Sequence, residues 1–413
     1  MMKDDIVSEY LKEQLEQLKD NSEGAVADYI PELAHADPEP LSVAFCTVDG
    51  QVYAQGLREG DVDLEFSIQS MSKPFAYALA LEEHTLDHVA QFVGMEPSGE
   101  AFNELSLDGE TKRPMNPMIN AGAITVNQLI NGEESSVEDR VEKILSFFSE
   151  LAGRELHIDQ PTCDSELQTS DRNLSLAHML RSYGMIQDTA HDAVDSYVQQ
   201  CSIMVTVSDL SKMAATLANG GTHPVTGKRV CSNEVALQVQ SVMASAGMYN
   251  GAGRWMASVG LPAKSGVSGG IIGTLPGRLG IAAFSPKLNE NGNSVRAKKV
   301  FQRLNKHMGL HLMATEKRGR VAVRSITTVE DEKADKGITT VIRLQGDIDF
   351  NAAEKIWRAI REHEFESNSV ILDLDKVDEI NSVGGRMIRE FRDRMIAAGM
   401  DLTVVDSDGV LAQ

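Results

Sequence analysis

Ser70 stands three residues before Lys73 in the run Phe66-Ser67-Ile68-Gln69-Ser70-Met71-Ser72-Lys73-Pro74-Phe75. A serine hydroxyl is a weak nucleophile until a base takes its proton. A lysine held in a dry pocket can shed its own proton and serve as that base. Residues 64–68 read as a strand, and a helix opening at Ser70 and running to about Leu81 puts both side chains on one face. The ordinary explanation is a helix N-cap and a solvated lysine. A second element, Lys264-Ser265-Gly266, adds another lysine late in the chain, and the two together point to acyl transfer through a serine.

The elements that must hold these residues follow from hydrophobic period and turn signals. Residues 42–47 and 51–55 read as strands joined through Val48-Asp49-Gly50. Helices are expected at 121–130, 137–151 and 209–218, the last ending on Asn219-Gly220-Gly221. Three short strands follow at 260–267, 270–275 and 279–284, with Leu275-Pro276-Gly277-Arg278 as the turn between the last two. An amphipathic helix is expected at 4–20, with Ile6, Tyr10, Leu11, Leu15 and Leu18 on one side. Strands therefore open and close the region, and helices fill its middle. This is an α+β plan: a sheet built from both ends of the domain, with a helical block inserted. Serine β-lactamases and penicillin-binding proteins share that plan and pair S-x-x-K with a late K-T-G.

The pattern changes after Met313. Glu316-Lys317-Arg318-Gly319-Arg320 and the charged stretch 330–336 read as a linker. Beyond it, strands are expected at 338–344, 370–374 and 402–405. Asn351-Ala352-Ala353-Glu354 reads as a capping box opening a helix to Glu362, and a second helix at 385–398 carries Met387, Ile388, Phe391 and Met395 on one face. The expected division is a catalytic domain over 1–312, a linker over 313–336 and a small β-α-β-α-β domain over 337–413.

Composition narrows the class. The chain has 413 residues, a net charge of −22 and a pI near 4.9. Residues 1–310 hold 24 basic and 41 acidic side chains, and residues 311–413 hold 15 and 20. Such an acid excess argues against nucleic acid and against anionic membrane surfaces as partners. Cys46, Cys163, Cys201 and Cys231 are scattered without a CxxC pair, which predicts reduced thiols and a cytoplasmic protein. No apolar run is long enough to span a bilayer, and the N-terminus lacks the apolar segment of a signal peptide. His84 and His88, like His307 and His311, stand four apart without the glutamate of HExxH or a third ligand, so no metal site is expected. Gly266, Gly269, Gly270 and Gly273 lack phosphate-loop spacing.

Other polar residues are ambiguous on their own. Asn120, in Asn116-Pro117-Met118-Ile119-Asn120-Ala121-Gly122-Ala123, can be a helix N-cap or a functional carboxamide. Glu166 and Asn173 are seven apart, which on one helix returns to nearly the same face. A surface or a capped turn explains them equally well. Packing alone accounts for Tyr29, Tyr197 and Tyr249.

From Ala27-Asp28-Tyr29-Ile30-Pro31 to about Lys306 the chain resembles the serine-dependent glutaminases. The resemblance rests on Gln69-Ser70-Met71-Ser72-Lys73-Pro74, Glu96-Pro97-Ser98-Gly99, the segment 116–123, Asp171-Arg172-Asn173, Met213-Ala214-Ala215-Thr216-Leu217-Ala218-Asn219-Gly220-Gly221, Gly247-Met248-Tyr249 and Gly260-Leu261-Pro262-Ala263-Lys264-Ser265-Gly266-Val267. It implies a β-lactamase/DD-peptidase-like fold, hydrolysis of L-glutamine to L-glutamate and ammonia, and no metal or other cofactor. It makes Ser70 the nucleophile, Lys73 its base and Tyr249 a proton relay. It places the oxyanion between the N–H groups of Ser70 and Val267. Asn120, Glu166, Asn173 and Tyr197 fall at substrate-binding positions, and Tyr29 at a tyrosine covering the pocket. Ser170 stands where the family pattern leads one to expect glycine. A homo-oligomer, dimer or tetramer, is expected.

The tail resembles STAS domains through Leu344-Gln345-Gly346-Asp347-Ile348-Asp349-Phe350, Val370-Ile371-Leu372-Asp373-Leu374 and Ile380-Asn381-Ser382-Val383-Gly384-Gly385. A regulatory partner of this module is expected. In regulatory members of that family a phosphorylatable serine follows an aspartate, whereas here Ser382 follows Asn381. A helix N-cap is the simpler role for Ser382. Two rival readings are a β-lactam-acting serine hydrolase, and an inactive scaffold that works as a STAS-type regulatory binder.

Overall fold

The computed structural model describes residues 6–98, 104, 106–314, 322–332, 334, 337–348 and 350–411. Two compact units divide it, Met1–Ala314 and Thr315–Gln413. Gly99 of the Glu96–Gly99 motif and the linker stretch 316–320 lie outside the described residues.

In the first unit the elements run α1 Ile6–Glu16, α2 Pro31–Ala34, β1 Ser42–Thr47, β2 Val52–Gly56, β3 Phe66–Ser67, a 3-10 turn Gln69–Ser72 and α3 Lys73–Glu83. The helical block follows as α4 Leu86–Val89, α5 Asn120–Leu129, α6 Val137–Ala152, α7 Gln160–Gln168, α8 Asp171–Ser182 and α9 Ala190–Cys201. Then come β4 Met204–Val205, α10 Val207–Ala218, α11 Asn233–Ala246, α12 Ala252–Ser258, β5 Ala263–Ser265, β6 Gly270–Leu275, β7 Leu279–Phe284 and α13 Val295–Met308. The main sheet is antiparallel in the order β2-β1-β7-β6-β5. Its strands come from both ends of the unit, as the sequence plan requires.

Both faces of this sheet are covered, and the side chains sort by the two-residue period of a strand. Ala44, Ile272, Ala282 and Phe284 face the large helical core with α3, α6, α10 and α11. Val43, Phe45, Ile271, Ile281 and Ala283 face a second core with α1, α12 and α13. Burial on both faces is why β6 and β7 read as continuous apolar runs. A third cluster joins α5, α8 and α9 through Ala121, Ile124, Leu176, Leu180, Val194, Tyr197 and Cys201.

The structure differs from the sequence reading at several points. The helix expected at Ser70 begins as a 3-10 turn and becomes α-helical only at Lys73. Residues 166 and 173 do not share a helix: α7 ends at Gln168 and α8 begins at Asp171. Helices α7, α8, α9, α11, α12 and α13 were not expected. In α7 and α8 the apolar stripe is diluted by polar residues, whereas α13 carries a clear one through Val300, Phe301 and Leu304.

The second unit contains β8 Val323–Glu330, β9 Ile338–Leu344, β10 Gly346–Ile348, α14 Phe350–Arg361, β11 Ser369–Asp373, β12 Val377–Ile380, α15 Ser382–Ala397 and β13 Asp401–Val405. Its four-stranded sheet runs β13-β11-β9-β8, with the β8–β9 pair antiparallel and the others parallel. Ile342, Leu344, Val370 and Leu372 pack with Ile356, Ile388 and Phe391 of the two helices. Strand β8 falls inside the stretch 313–336 expected to be linker. Its apolar residues Val323, Ile326 and Val329 stand three apart instead of alternating, and none is buried, which leaves only a faint strand pattern. Strands β10 and β12 add a short parallel pair to the expected β-α-β-α-β order. Asn351 lies inside α14 rather than capping it. Asn381, not Ser382, caps α15, accepting from the Gly384 N–H at 2.7 Å.

Candidate active site

The first unit brings the sequence-derived site residues together where the end of β5 meets the helical block. The Gln69–Ser72 turn carries Ser70, and Lys73 is the first residue of α3. In a 3-10 turn, side chains three apart eclipse, so Ser70 and Lys73 lie over one another. Pro74 just inside α3 favours the helix start at this point. Helix α3 is buried from Lys73 to Leu81, so the lysine sits in the core rather than in solvent.

Lys73 is almost fully buried, and burial pulls its pKa down to about 8. Cys201 and Glu166 oppose that fall. Its Nζ donates to Asn120 Oδ1 at 2.7 Å. Asn120 is the first residue of α5 and is preceded by Ile119 as N-cap, so its carboxamide is not spent on capping. Its Nδ2 donates onward to Asn173 Oδ1 at 2.9 Å. Gly122 permits this placement: a Cβ there would stand 1.9 Å from the Asn116 carbonyl oxygen.

Glu166 is buried on α7, and burial raises its carboxyl to about pH 7. Gln69 Nε2 donates to its Oε2 at 3.0 Å and, with Lys73, moderates that rise. Ser170 closes the α7–α8 turn, its hydroxyl donating to the Leu167 carbonyl at 2.7 Å. Its φ of −91° needs no glycine, which explains how serine fits there. The turn still delivers Glu166 and Asn173 to one site.

Lys264, the late lysine expected to act together with Ser70 and Lys73, belongs to this site. Its Nζ is 2.7 Å from the Tyr249 hydroxyl and 2.7 Å from the Ser265 carbonyl oxygen. It also lies 4.1 Å from the Tyr249 ring centre, where Lys73 Nζ is 5.8 Å away. Burial, then repulsion from Lys73, holds its pKa well below the ordinary lysine range. The cation–cation repulsion falls on Lys264, while burial dominates at Lys73. The Tyr249 phenol is pushed up by burial, and its hydrogen bond with Ser70 pulls the other way.

Two residues here hold left-handed backbone without being glycine: Gln69 at φ 49° and Tyr249 at φ 53°. Such conformations cost on the order of 1–3 kcal/mol each and persist where surrounding structure imposes them. They flank Ser70 and carry its tyrosine neighbour.

Gly266 lets the end of β5 approach the serine turn. A Cβ there would meet the Ile68 carbonyl oxygen at 3.1 Å and Met71 Cε at 3.2 Å. Val267 follows directly. Tyr29, Tyr249 and Val267 line a cleft of about 900 Å³, together with Asp28 and the loop residues Asn289 and Glu290. Tyr29 is 47% exposed. Its hydroxyl nevertheless lies deep enough that burial, Glu166 and Tyr249 raise its pKa. Tyr197 is buried on α9, its phenol raised by burial and within hydrogen-bonding reach of the Cys201 thiol. Gln69 and Cys201 are thus contributors that the sequence reading missed as site residues. The His84 and His88 rings stack at 4.7 Å, and no group of three or more His, Cys, Asp or Glu side chains that could hold a metal ion occurs among the described residues.

A two-ended antiparallel sheet with a helical insertion, and a Ser-x-x-Lys turn set against a Lys-Ser-Gly strand, define the β-lactamase-like class of proteins. Residues 24–313 match the glutaminase family model and residues 330–413 match the STAS domain. This chain belongs to the glutaminase family, with a C-terminal STAS domain. A glutaminase of Corynebacterium glutamicum is 58% identical over 405 residues, covering 98% of this chain and 95% of that protein. A glutaminase of Trichormus variabilis is 48% identical, covering 71% of this chain and 86% of its own length. A crystal structure of a protein called Mglu superposes with a TM-score of 0.84 at 46% identity, covering 98% of this chain and all of that one. No helix among the described residues is long and apolar enough to cross a membrane.

Proposed function

We propose that this chain hydrolyses L-glutamine to L-glutamate and ammonia through a γ-glutamyl ester on Ser70. The observation that carries the reading is a fully buried Lys73, its pKa drawn down to about 8, one 3-10 turn from Ser70. A base poised near working pH is suited to proton transfer.

Lys73 Nζ takes the Ser70 proton as Oγ attacks the γ-carbonyl carbon. The carbonyl oxygen becomes an oxyanion between the N–H groups of Ser70 and Val267. The C–N bond then breaks, and the proton returns to the departing nitrogen through Lys73 or through Tyr249, whose hydroxyl joins Ser70 and Lys264. Ammonia leaves. Water attacks the ester, gives a proton to Lys73, and Ser70 Oγ recovers it as glutamate is released. Glu166 faces the substrate α-ammonium, which favours its ionised form. Asn120, Asn173, Tyr197 and Tyr29 hold the amino-acid end.

The protein works as a cytoplasmic homo-oligomer, dimer or tetramer, and its STAS domain takes a regulatory partner. Four buried, unpaired cysteines support the cytoplasmic part of this reading, and the match of residues 330–413 to the STAS domain supports the regulatory part. The test compares turnover of L-glutamine and of a penicillin-type substrate, for the native chain and for Ser70→Ala. The native chain turns over glutamine alone, and Ser70→Ala loses several orders of magnitude while keeping its circular dichroism. Native-like turnover by Ser70→Ala, or penicillin hydrolysis, overturns the reading.

A further inference from the structure

Behind the serine turn runs a row of buried carboxamides that the steps above leave unused. Gln200 on α9 is fully buried. Its Nε2 donates to Ser72 Oγ at 2.9 Å, and its Oε1 accepts from Asn127 Nδ2 at 3.0 Å. Ser72 lies between Ser70 and Lys73 in the chain. Asn127 lies two helical turns beyond Asn120 on α5, on nearly the same face. The start of α3 is therefore tied to α5 twice. One tie is direct, from Lys73 to Asn120, and the other runs from Ser72 through Gln200 to Asn127. Tyr197 sits one turn before Gln200 on α9. The adjacent Cys201 thiol is within hydrogen-bonding reach of both the Ser72 and Tyr197 hydroxyls. The base, its carboxamide acceptor and a substrate-side phenol thus depend on three elements that meet at one side chain.

We propose that Gln200 is a positioning residue for glutamine hydrolysis: its carboxamide keeps the Ser70–Lys73 turn in register with Asn120. This rests on the roles given above to Ser70 and Lys73. The site calls for one donor and one acceptor on a single side chain between the Ser72 hydroxyl and the Asn127 carboxamide, a combination a carboxamide supplies at any working pH. The turn needs outside restraint, because Gln69 holds a left-handed backbone immediately before Ser70. Gln69 is anchored to Glu166 on one side of the serine, and Ser72 to Gln200 on the other. The nucleophile is pinned between two side-chain bonds from different helices.

The test measures kcat, KM and the pH dependence of kcat/KM for the full chain, Gln200→Met, Ser72→Ala and the double variant, each normalised to folded protein. Methionine keeps the approximate shape and removes both hydrogen bonds. Gln200→Met is expected to lower kcat by about 10- to 100-fold with KM within about threefold, and to move the acidic limb as Lys73 loses its fixed partner. Ser72→Ala, which deletes one oxygen, is expected to lose about tenfold in kcat. The double variant should be no worse than the poorer single one, because both cut the same tie. If Gln200→Met does not fold, the loss and pH shift in Ser72→Ala carry the test. Native-like kcat and pH profile in the folded variants, or losses that multiply in the double variant, overturn the proposal. A native chain that does not turn over glutamine overturns the proposed function instead, whatever the variants do.

Discussion

Lys73 and Glu166 are two buried ionisable groups whose pKa values approach one another, at about 8 and about 7. The reaction needs neutral lysine as base and ionised glutamate against the substrate ammonium. Both fractions grow as pH rises. Glutamine turnover (kcat/KM) should therefore climb from pH 6 to pH 8.5, and Lys73→Ala should be nearly as inactive as Ser70→Ala at every pH. A flat profile over that range contradicts the assignment of Lys73 as base. Glu166 also makes a stability prediction. Its folded pKa lies above the unfolded value of 4.5, so the folded state is favoured below pH 4.5 and that advantage is lost as pH rises toward 7. At pH 8 the buried charge costs roughly 3 kcal/mol. Glu166→Gln should raise the melting temperature of the unliganded protein at pH 8 while abolishing turnover. A lower melting temperature would show that the ionised carboxylate is compensated in the absence of substrate.

Among the elements, the end of β5 and the serine turn must approach within van der Waals distance. Gly266 makes room where the nearest atom is the Ile68 backbone oxygen, which cannot rotate aside. Gly266→Ala should push the Val267 N–H away from the substrate oxygen. The expected result is a 10- to 100-fold loss in kcat, with destabilisation of about 1–3 kcal/mol from overpacking. Native-like kcat by steady-state assay would mean that this strand end does not form the oxyanion site. The helical block shows how elements combine polar groups scattered in sequence. Asn120 opens α5, Glu166 sits near the end of α7, and Asn173 near the start of α8. Each occupies an end of its helix, where the chain changes direction and side chains converge.

Across the whole chain, the two units have separate cores. The first is closed by α13 packing through Val300, Phe301 and Leu304, and the second by α14 and α15 over their own sheet. We propose that the first unit carries the chemistry by itself. Deleting residues beyond 314 should leave a folded enzyme with kcat and KM within about threefold of the full chain, while sedimentation reports any change in association. A monodisperse but inactive truncation would assign the tail a part in the site or its assembly.

The residue types and spacings in this sequence by themselves determined a great deal. Ser70, Lys73 and the late Lys-Ser-Gly are short-range patterns, legible because an i,i+3 spacing or a strand triplet survives in linear order. Strands β6 and β7 were legible to the residue because burial on both faces makes unbroken apolar runs bounded by turns. Glutaminase kinship was legible because its motifs are long and ordered. Other features depended on long-range packing. Nothing local distinguishes Asn120 as a helix cap from Asn120 as the acceptor for Lys73, because the choice depends on a side chain 47 residues away. Nor could spacing predict that Lys264 takes the electrostatic repulsion, that Gln200 ties Ser72 to Asn127, or that β8 lies in the apparent linker. Hydrogen bonds and desolvation act between neighbours in space, and those neighbours exist only once the sheet and helical block have packed.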